Sequence, residues 1–397
     1  MIRSAEPDRV GVCCLFRAYG GTAATLPQWL REWSRQILEQ ELPAEIYVYT
    51  CPQNLELLGQ PGMNGIRIVQ VPLAGRGVIG RTLAETLLLP FLLWRDRIQV
   101  ALGVANTIPW LAGCPSAVIF QNAAPFVDQA RNGGGSASFR LRMLLLRWAI
   151  LLAAWRSRRV ICISRWFRQH LSGFVPSVRE KSAVIRHGMA KPKVEEASLS
   201  AAGARLLDQL HGRPFVLNVS HGYPYKNLIE LVDGFDKALA SLPGGGWRLV
   251  IAGELLVPGY RQALETAIGR SDRLKDAVIL SGSLTEDEVA FFTQKCDIFA
   301  FSSCCENWPV ALMNAVVAGA PVACSNAGVM PEVVGEAAAM FDPFSPASIA
   351  EVLRRLMSSE AERGALRLRS RERARQFHTV EQQAAEILDE VRALAAG

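Results

Sequence analysis

The sequence lacks the marks of several large protein classes. No C-x-x-C is matched by a histidine pair, and the nine cysteines in 397 residues are an odd number. Neither a structural zinc site nor a secreted disulfide framework is therefore indicated. The adjacent pairs Cys13-Cys14 and Cys304-Cys305 would make poor disulfides with themselves, because neighbouring Cα atoms sit too close for relaxed geometry. Reduced, cytoplasmic thiols are expected. No G-x-G-x-x-G follows the first apolar run, which argues against a dinucleotide-binding site. The first eight residues are polar, carry acid and lead into a strand pattern, unlike a signal peptide. Charged residues make up only 20%, with a net charge of +6, modest for a nucleic-acid binder, and no nucleic-acid partner is expected.

What is present is a long, well-packed chain. Apolar residues reach 50%, and the length favours two domains over one core. Short β-branched runs alternate with helical spacings throughout: residues 9–16, 45–50, 65–71, 100–105, 116–120, 160–164 and 182–189, then 214–220, 247–253, 277–282, 296–301 and 321–324. Strand and helix in alternation predict α/β architecture with parallel, doubly wound sheets. Domains are expected over 1–190 and 206–378, joined by a linker at 191–205 rich in Lys, Pro, Glu and Ser, with a closing helix over 379–397 that packs back toward the first domain.

One stretch of the first half stands apart. Between 131 and 170 lie Arg131, Arg140, Arg142, Arg147, Arg156, Arg158, Arg159, Arg165 and Arg168, with no Asp or Glu. Inside it, residues 143–155 form an apolar helix carrying Trp148 and Trp155, too short to span a bilayer. Tryptophans and apolar residues with basic flanks suit an anionic membrane surface; a core helix with solvated ends is the alternative. The segment from Leu83 to Trp94 could join the same surface.

The second half is organised around Ser302-Ser303-Cys304-Cys305-Glu306-Asn307-Trp308-Pro309-Val310-Ala311-Leu312-Met313-Asn314. An apolar strand runs into it and helical spacing runs out. In open α/β sheets, ligands bind where such turns leave the carboxyl ends of strands. Glu306 could equally be a helix cap, satisfying orphan N–H groups. Gly20-Gly21, between the first strand and its helix, would permit close backbone approach to a ligand or form an ordinary turn.

Several motifs together resemble a known family. They are Val219-Ser220-His221-Gly222-Tyr223-Pro224-Tyr225-Lys226-Asn227-Leu228, Leu249-Val250-Ile251-Ala252-Gly253, Ser281-Gly282-Ser283-Leu284-Thr285-Glu286-Asp287-Glu288 and the run from Ser302 through Pro343. In this order they resemble the family 4 retaining glycosyltransferases, whose GT-B architecture sets two Rossmann-like domains facing a cleft. The first half matches more weakly, through Gly20-Gly21, Gln121-Asn122-Ala123-Ala124-Pro125-Phe126, Ile161-Cys162-Ile163-Ser164 and Val184-Ile185-Arg186-His187-Gly188.

The resemblance implies transfer of a sugar from a UDP- or GDP-sugar to an acceptor hydroxyl with retention. The basic, tryptophan-bearing surface of the first domain fits a lipid-linked or saccharide-precursor acceptor at the cytoplasmic face of a membrane, and the composition suggests a bacterial protein. No cofactor and no metal are implied, since no Asp-x-Asp occurs and cationic side chains would stabilise the departing diphosphate. Lys226 matches the family's diphosphate lysine. His221 replaces its usual arginine, and Gly20 and Gly21 match the phosphate-approaching loop. Glu306 matches the glutamate that holds the donor sugar, with the N–H groups of Asn307, Trp308, Pro309 and Val310 assigned to sugar and phosphate support; as proline, Pro309 itself has none to offer. Ser220, Gly253 and Leu284 complete the donor list, and Asn122 falls at an acceptor-side polar position. Asn314 stands where relatives place a second glutamate for the ribose; an amide accepts only through its carbonyl oxygen. Arg140, Arg142, Arg147, Trp148, Trp155, Arg156, Arg158 and Arg159 make the expected membrane surface. The rival is a catalytically silent nucleotide-sugar-binding or membrane-docking protein of the same fold.

Overall fold

The computed structural model describes residues 8–17, 21–39, 44–58, 63–104, 106–128, 137–189, 199–242 and 246–395. The chain divides into two compact units.

The first unit comprises Met1–Ala123, Leu144–Ala190 and His378–Gly397. It therefore omits Ala124–Met143 from the expected 1–190 span and takes in the C-terminal helix. Its strands are β1 (Asp8–Cys14), β2 (Ala44–Thr50), β3 (Ile66–Gln70), β4 (Val100–Gly103), β5 (Ser116–Phe120), β6 (Arg159–Cys162) and β7 (Ser182–Val184). They form one parallel sheet in the order β3-β2-β1-β4-β5-β6-β7. The central strands are buried along their length, as their unbroken apolar runs require.

The C-terminal helix, Val380–Ala395, is fastened by side chains far away in sequence. Trp29 Nε1 donates to Gln383 Oε1 at 3.0 Å, and Trp33 Nε1 to the Ala384 carbonyl at 2.8 Å. The strand expected over 182–189 stops at Val184 because the backbone leaves the sheet for this helix. Gly188 N donates to Gln383 Oε1 at 2.9 Å, and Met189 N to the His378 carbonyl at 2.8 Å. A Cβ on Gly188 would lie 2.3 Å from the Thr379 carbonyl oxygen, so only glycine allows the crossing.

The second unit comprises Ala124–Met143 and Lys191–Phe377. Its strands are β8 (Phe215–Val219), β9 (Arg248–Ala252), β10 (Val278–Gly282), β11 (Ile298–Phe301), β12 (Val322–Ser325) and β13 (Ala338–Phe341). Their order, β10-β9-β8-β11-β12-β13, is again parallel throughout. Leu231, Phe235, Leu249, Ile251, Ile298 and Leu353 centre its core.

Of the expected 191–205 linker, residues 191–198 lie outside the described residues. Its remainder is corrected: Ala201–Leu210 is a helix. Ser200 caps it, its hydroxyl accepting from Ala202 N and Gly203 N, while Glu288 Oε1 accepts from Ser200 N at 2.8 Å. Glu288 also closes the capping box with Thr285 at the start of Glu286–Lys295, so one carboxylate starts two helices.

Candidate functional site

In each sheet the strand order reverses once, between β1 and β4 in the first and between β8 and β11 in the second. Beyond the carboxyl ends of strands at such a reversal, the connections diverge to opposite faces and leave a crevice. In the second unit the two loops at this point are 220–227 after β8 and 302–309 after β11.

Backbone and hydroxyl bonds hold these loops together. Cys304 N donates to the Tyr225 carbonyl at 2.9 Å, and Ser302 Oγ donates to the Lys226 carbonyl at 2.8 Å. Asn227 takes a left-handed conformation, φ 60°, which its short polar side chain tolerates. Its amide donates to the Pro343 carbonyl, fixing the turn against the segment after β13. The loop therefore presents Lys226 in one direction.

Lys226 Nζ lies 2.5 Å from Glu306 Oε1, with both side chains about five-sixths buried (16% and 15% exposed). The ammonium also stands 5.4 Å from the ring centres of Tyr225 and Phe301, within cation–π range. Tyr223 stacks on Tyr225, ring centres 5.6 Å apart. Burial, and then the negative charge of Glu306, pushes the Tyr225 phenol above its ordinary pKa, so it remains protonated. Burial likewise raises the Cys304 thiol to about 11 and Cys305 well above its usual value. Burial thus favours the neutral thiol at both positions.

The helix-cap alternative for Glu306 is excluded. The following helix is Val310–Val317 with Pro309 at its N-cap and no side-chain cap bond, and the Glu306 carboxylate is turned to Lys226.

The other donor-side residues fall on the same rim of the second sheet. Ser220 follows β8, its hydroxyl donating to Asn218 Oδ1 at 2.8 Å, while Asn218 donates to the Ala300 carbonyl of β11. Gly253 follows β9 at φ +134°, and a Cβ there would meet the Ser220 carbonyl oxygen at 2.3 Å. Leu284 follows β10 and is half-buried, Asn307, Trp308 and Pro309 are buried, and Val310 is exposed. His221 and Asn314 are both exposed, Asn314 one turn beyond Val310. The motif alone pointed to Lys226 and Glu306; it did not reveal Tyr225 and Phe301 around the ammonium, or Asn227 as the residue that aims it. The left-handed Asn before a helix was the only available signal.

In the first unit Asn122 follows β5, its backbone N–H donating to Asn106 Oδ1 at 3.1 Å. Gly20 lies outside the described residues, and Gly21 opens the helix Gly21–Leu38. Among the described residues no cluster of three or more His, Cys, Asp or Glu side chains could hold a metal ion.

The basic stretch is a helix over Ala137–Arg156. It is neither a core helix nor evenly amphipathic. Met143, Ile150, Ala153 and Ala154 are buried, yet Leu145, Trp148, Leu152 and Trp155, spaced by three, four and three, are open to solvent, the tryptophans 64% and 63% exposed. Arg140, Arg142, Arg156 and Arg158 are exposed, and the Arg147 guanidinium stands 4.7 Å over the Phe174 ring. Arg159 is a correction: it begins β6 and holds Glu390 with two hydrogen bonds, at 2.5 and 2.8 Å, so its charge is spent on the C-terminal helix. A second stripe, Ile79, Leu83, Leu87, Phe91 and Trp94, is exposed along the helical run Gly77–Arg95. No described helix is long and apolar enough to cross a membrane.

Comparison with known proteins gives this geometry its context. Residues 207–377 match the family model of glycosyl transferases group 1. The serotype-specific mannosyltransferase WbdA of Escherichia coli is 28% identical over 149 residues, 37% of this chain and 18% of its own length; the match thus spans under a fifth of that relative. A glycosyltransferase from Rickettsia africae superposes with TM-score 0.72 at 13% identity, over 98% of both chains. Anabaena Alr3699/HepE, solved with UDP, superposes at 0.71 and 16% identity, over 97% of this chain and all of that one. WaaG, described as a glycosyltransferase involved in lipopolysaccharide biosynthesis, superposes at 0.67 and 15% identity, over 96% of this chain and 99% of that one. At these identities the superpositions show a shared fold, and the chain has the α/β, GT-B fold expected.

Proposed function

We propose that this chain, whose residues 207–377 match the family model of glycosyl transferases group 1, moves a sugar from a nucleoside-diphosphate sugar to an acceptor hydroxyl with retention and without a metal. The observation that carries the reading is the Lys226–Glu306 pair at the β8/β11 reversal point. A partly buried ammonium suits a diphosphate, and a carboxylate beside it suits sugar hydroxyls. As the bond from the anomeric carbon to the phosphate oxygen breaks, the electron pair leaves with the diphosphate. Lys226 stabilises that growing charge where water is scarce. The acceptor oxygen bonds to the anomeric carbon from the same face, and its proton passes to the departing phosphate oxygen. Gly20, Gly21, His221 and Asn122 keep the roles the resemblance gives them as parts of the same proposal.

The acceptor is lipid-linked or a saccharide precursor, met on an anionic membrane surface from the cytoplasmic side. Supporting this are the exposed Trp148 and Trp155 on a helix whose Arg140, Arg142 and Arg156 are also exposed, and the second stripe ending at Trp94. Parallel crossovers are right-handed almost without exception. On that rule, the β3-to-β4 and β5-to-β6 helices lie on one face of the first sheet, opposite Gly21–Leu38, so both stripes serve one surface.

Thermal unfolding with UDP-, GDP- and ADP-sugars tests the reading. The matching donor raises Tm in the wild type and fails to do so in Lys226→Met. Protection with no transfer to any lipid or saccharide acceptor would favour the silent binding protein, with exposed His221 and Asn314 as its departures from the family pattern.

A further inference from the structure

Beside the helix Ala137–Arg156, the first unit carries an apolar groove of about 650 Å³, within the ~300–1,000 Å³ typical of small-molecule sites. Trp148, Leu151, Leu152 and Trp155 form one wall, Phe174 and Val175 the other. We infer that this groove holds a single hydrocarbon chain of an anionic, phosphate-bearing lipid, with the phosphate at its arginine-lined margin. The inference deepens the membrane reading above and rests on it.

The chemistry of the walls selects the occupant. Apart from the indole N–H groups of Trp148 and Trp155, Ser177 carries the one polar side-chain group in the lining. A peptide laid there would bury N–H and C=O groups with no partners, and a sugar its hydroxyls, at about 1–3 kcal/mol per unsatisfied group. A hydrocarbon chain has none to satisfy. Aromatic walls at Trp148, Trp155 and Phe174 offer broad apolar faces at small entropic cost.

The margin selects the headgroup. Arg147 stands over Phe174 at 4.7 Å, and Lys181 Nζ donates to the Trp155 carbonyl at 2.7 Å, where the helix ends. Arg156 and Arg158 are exposed at the same end. From 131 to 179 the sequence has no acidic residue, and Glu180 is the first to follow. Positive charge beside an apolar slot complements an amphiphile whose head is a phosphate.

The test uses octyl phosphate below its micelle concentration, titrated calorimetrically into the full chain. Expected is saturable binding of one molecule per chain, weakened at least tenfold in Ala149→Phe and in Ser177→Trp, which fill the groove from opposite walls while leaving every arginine in place. Both variants are first checked for an unchanged unfolding midpoint; if one unfolds, the other carries the comparison. Octyl glucoside, with the same chain and no charge, should bind at least tenfold more weakly than octyl phosphate. Non-saturating uptake, undiminished binding by the filled variants, equal affinity for the glucoside, or a dimer that octyl phosphate does not dissolve would each overturn the inference. Co-sedimentation with anionic vesicles separates it from the broader reading. Vesicle binding by the wild type without octyl phosphate uptake leaves the membrane surface standing and removes the slot, whereas wild-type uptake without vesicle binding does the reverse.

Discussion

Lys226 and Glu306, eighty residues apart, meet at 2.5 Å on the carboxyl rim of the second sheet. Each is held by the loop that follows one of two adjacent strands, and each neutralises the other where both side chains are largely buried. Removing either alone strands a charge there, whereas removing both does not. A double-mutant cycle with Lys226→Met and Glu306→Gln, followed by denaturant unfolding, should therefore show coupling on the order of 1 kcal/mol. Additive effects would mean that the pair is not formed in solution.

The C-terminal helix imposes a pH dependence. His187 is buried beside Gln383, ring nitrogen to amide 3.2 Å, and burial lowers its pKa from 6.5 to about 4, the Gln383 bond partly offsetting this. The unfolded chain then binds the proton more readily than the folded one between those two values. Stability is whole above about pH 6.5 and declines as pH falls toward 4, by about 3 kcal/mol in total. Urea unfolding at pH 7.5, 5.5 and 4.5 should show the decline in wild type and a smaller one in His187→Asn.

Gly188 carries the same crossing. Because a Cβ would press on the Thr379 carbonyl, Gly188→Ala should destabilise by about 1–3 kcal/mol, read as a lower denaturant midpoint. An unchanged midpoint would mean that the segment can move aside.

Asn314 is exposed on a helix whose Leu312, Met313, Ala315 and Val316 are buried, so Asn314→Glu should fold normally. A carboxylate accepts from two ribose hydroxyls where the amide carbonyl is a single acceptor. Calorimetry with the preferred nucleoside diphosphate should show affinity rising roughly tenfold, about 1.4 kcal/mol. No change would place Asn314 away from the ribose.

Charge at the helix Ala137–Arg156 gives a fifth expectation. Arg140→Glu with Arg142→Glu should reduce co-sedimentation with anionic vesicles by at least tenfold at low salt, since each surface cation is worth about 1 kcal/mol. Equal loss on neutral vesicles would contradict the electrostatic part.

Much of this was legible in the sequence, for identifiable reasons. Parallel strands buried on both faces leave unbroken apolar runs such as Val160 to Cys162, and the capping box at Thr285 is a local pattern. Lys226 and Glu306 could be named from motifs, although their contact could not, since it depends on β8 and β11 being neighbours. The latch of Trp29 and His187 on Gln383 joins residues 354 and 196 apart, with no local trace. The helical turn Ala84–Leu88, wound as a π-helix inside Gly77–Arg95, likewise reads as ordinary helix in sequence. Arg159 looked like its basic neighbours until the structure placed Glu390 against it.

The most direct test is transfer itself. A labelled sugar should be followed from the donor found by thermal protection to a lipid-linked or saccharide acceptor, in wild type, Lys226→Met and Glu306→Gln. The account predicts a product retaining the donor's anomeric configuration and a loss of at least about 100-fold in turnover for each variant, both still folded. Near wild-type turnover by either folded variant would contradict it.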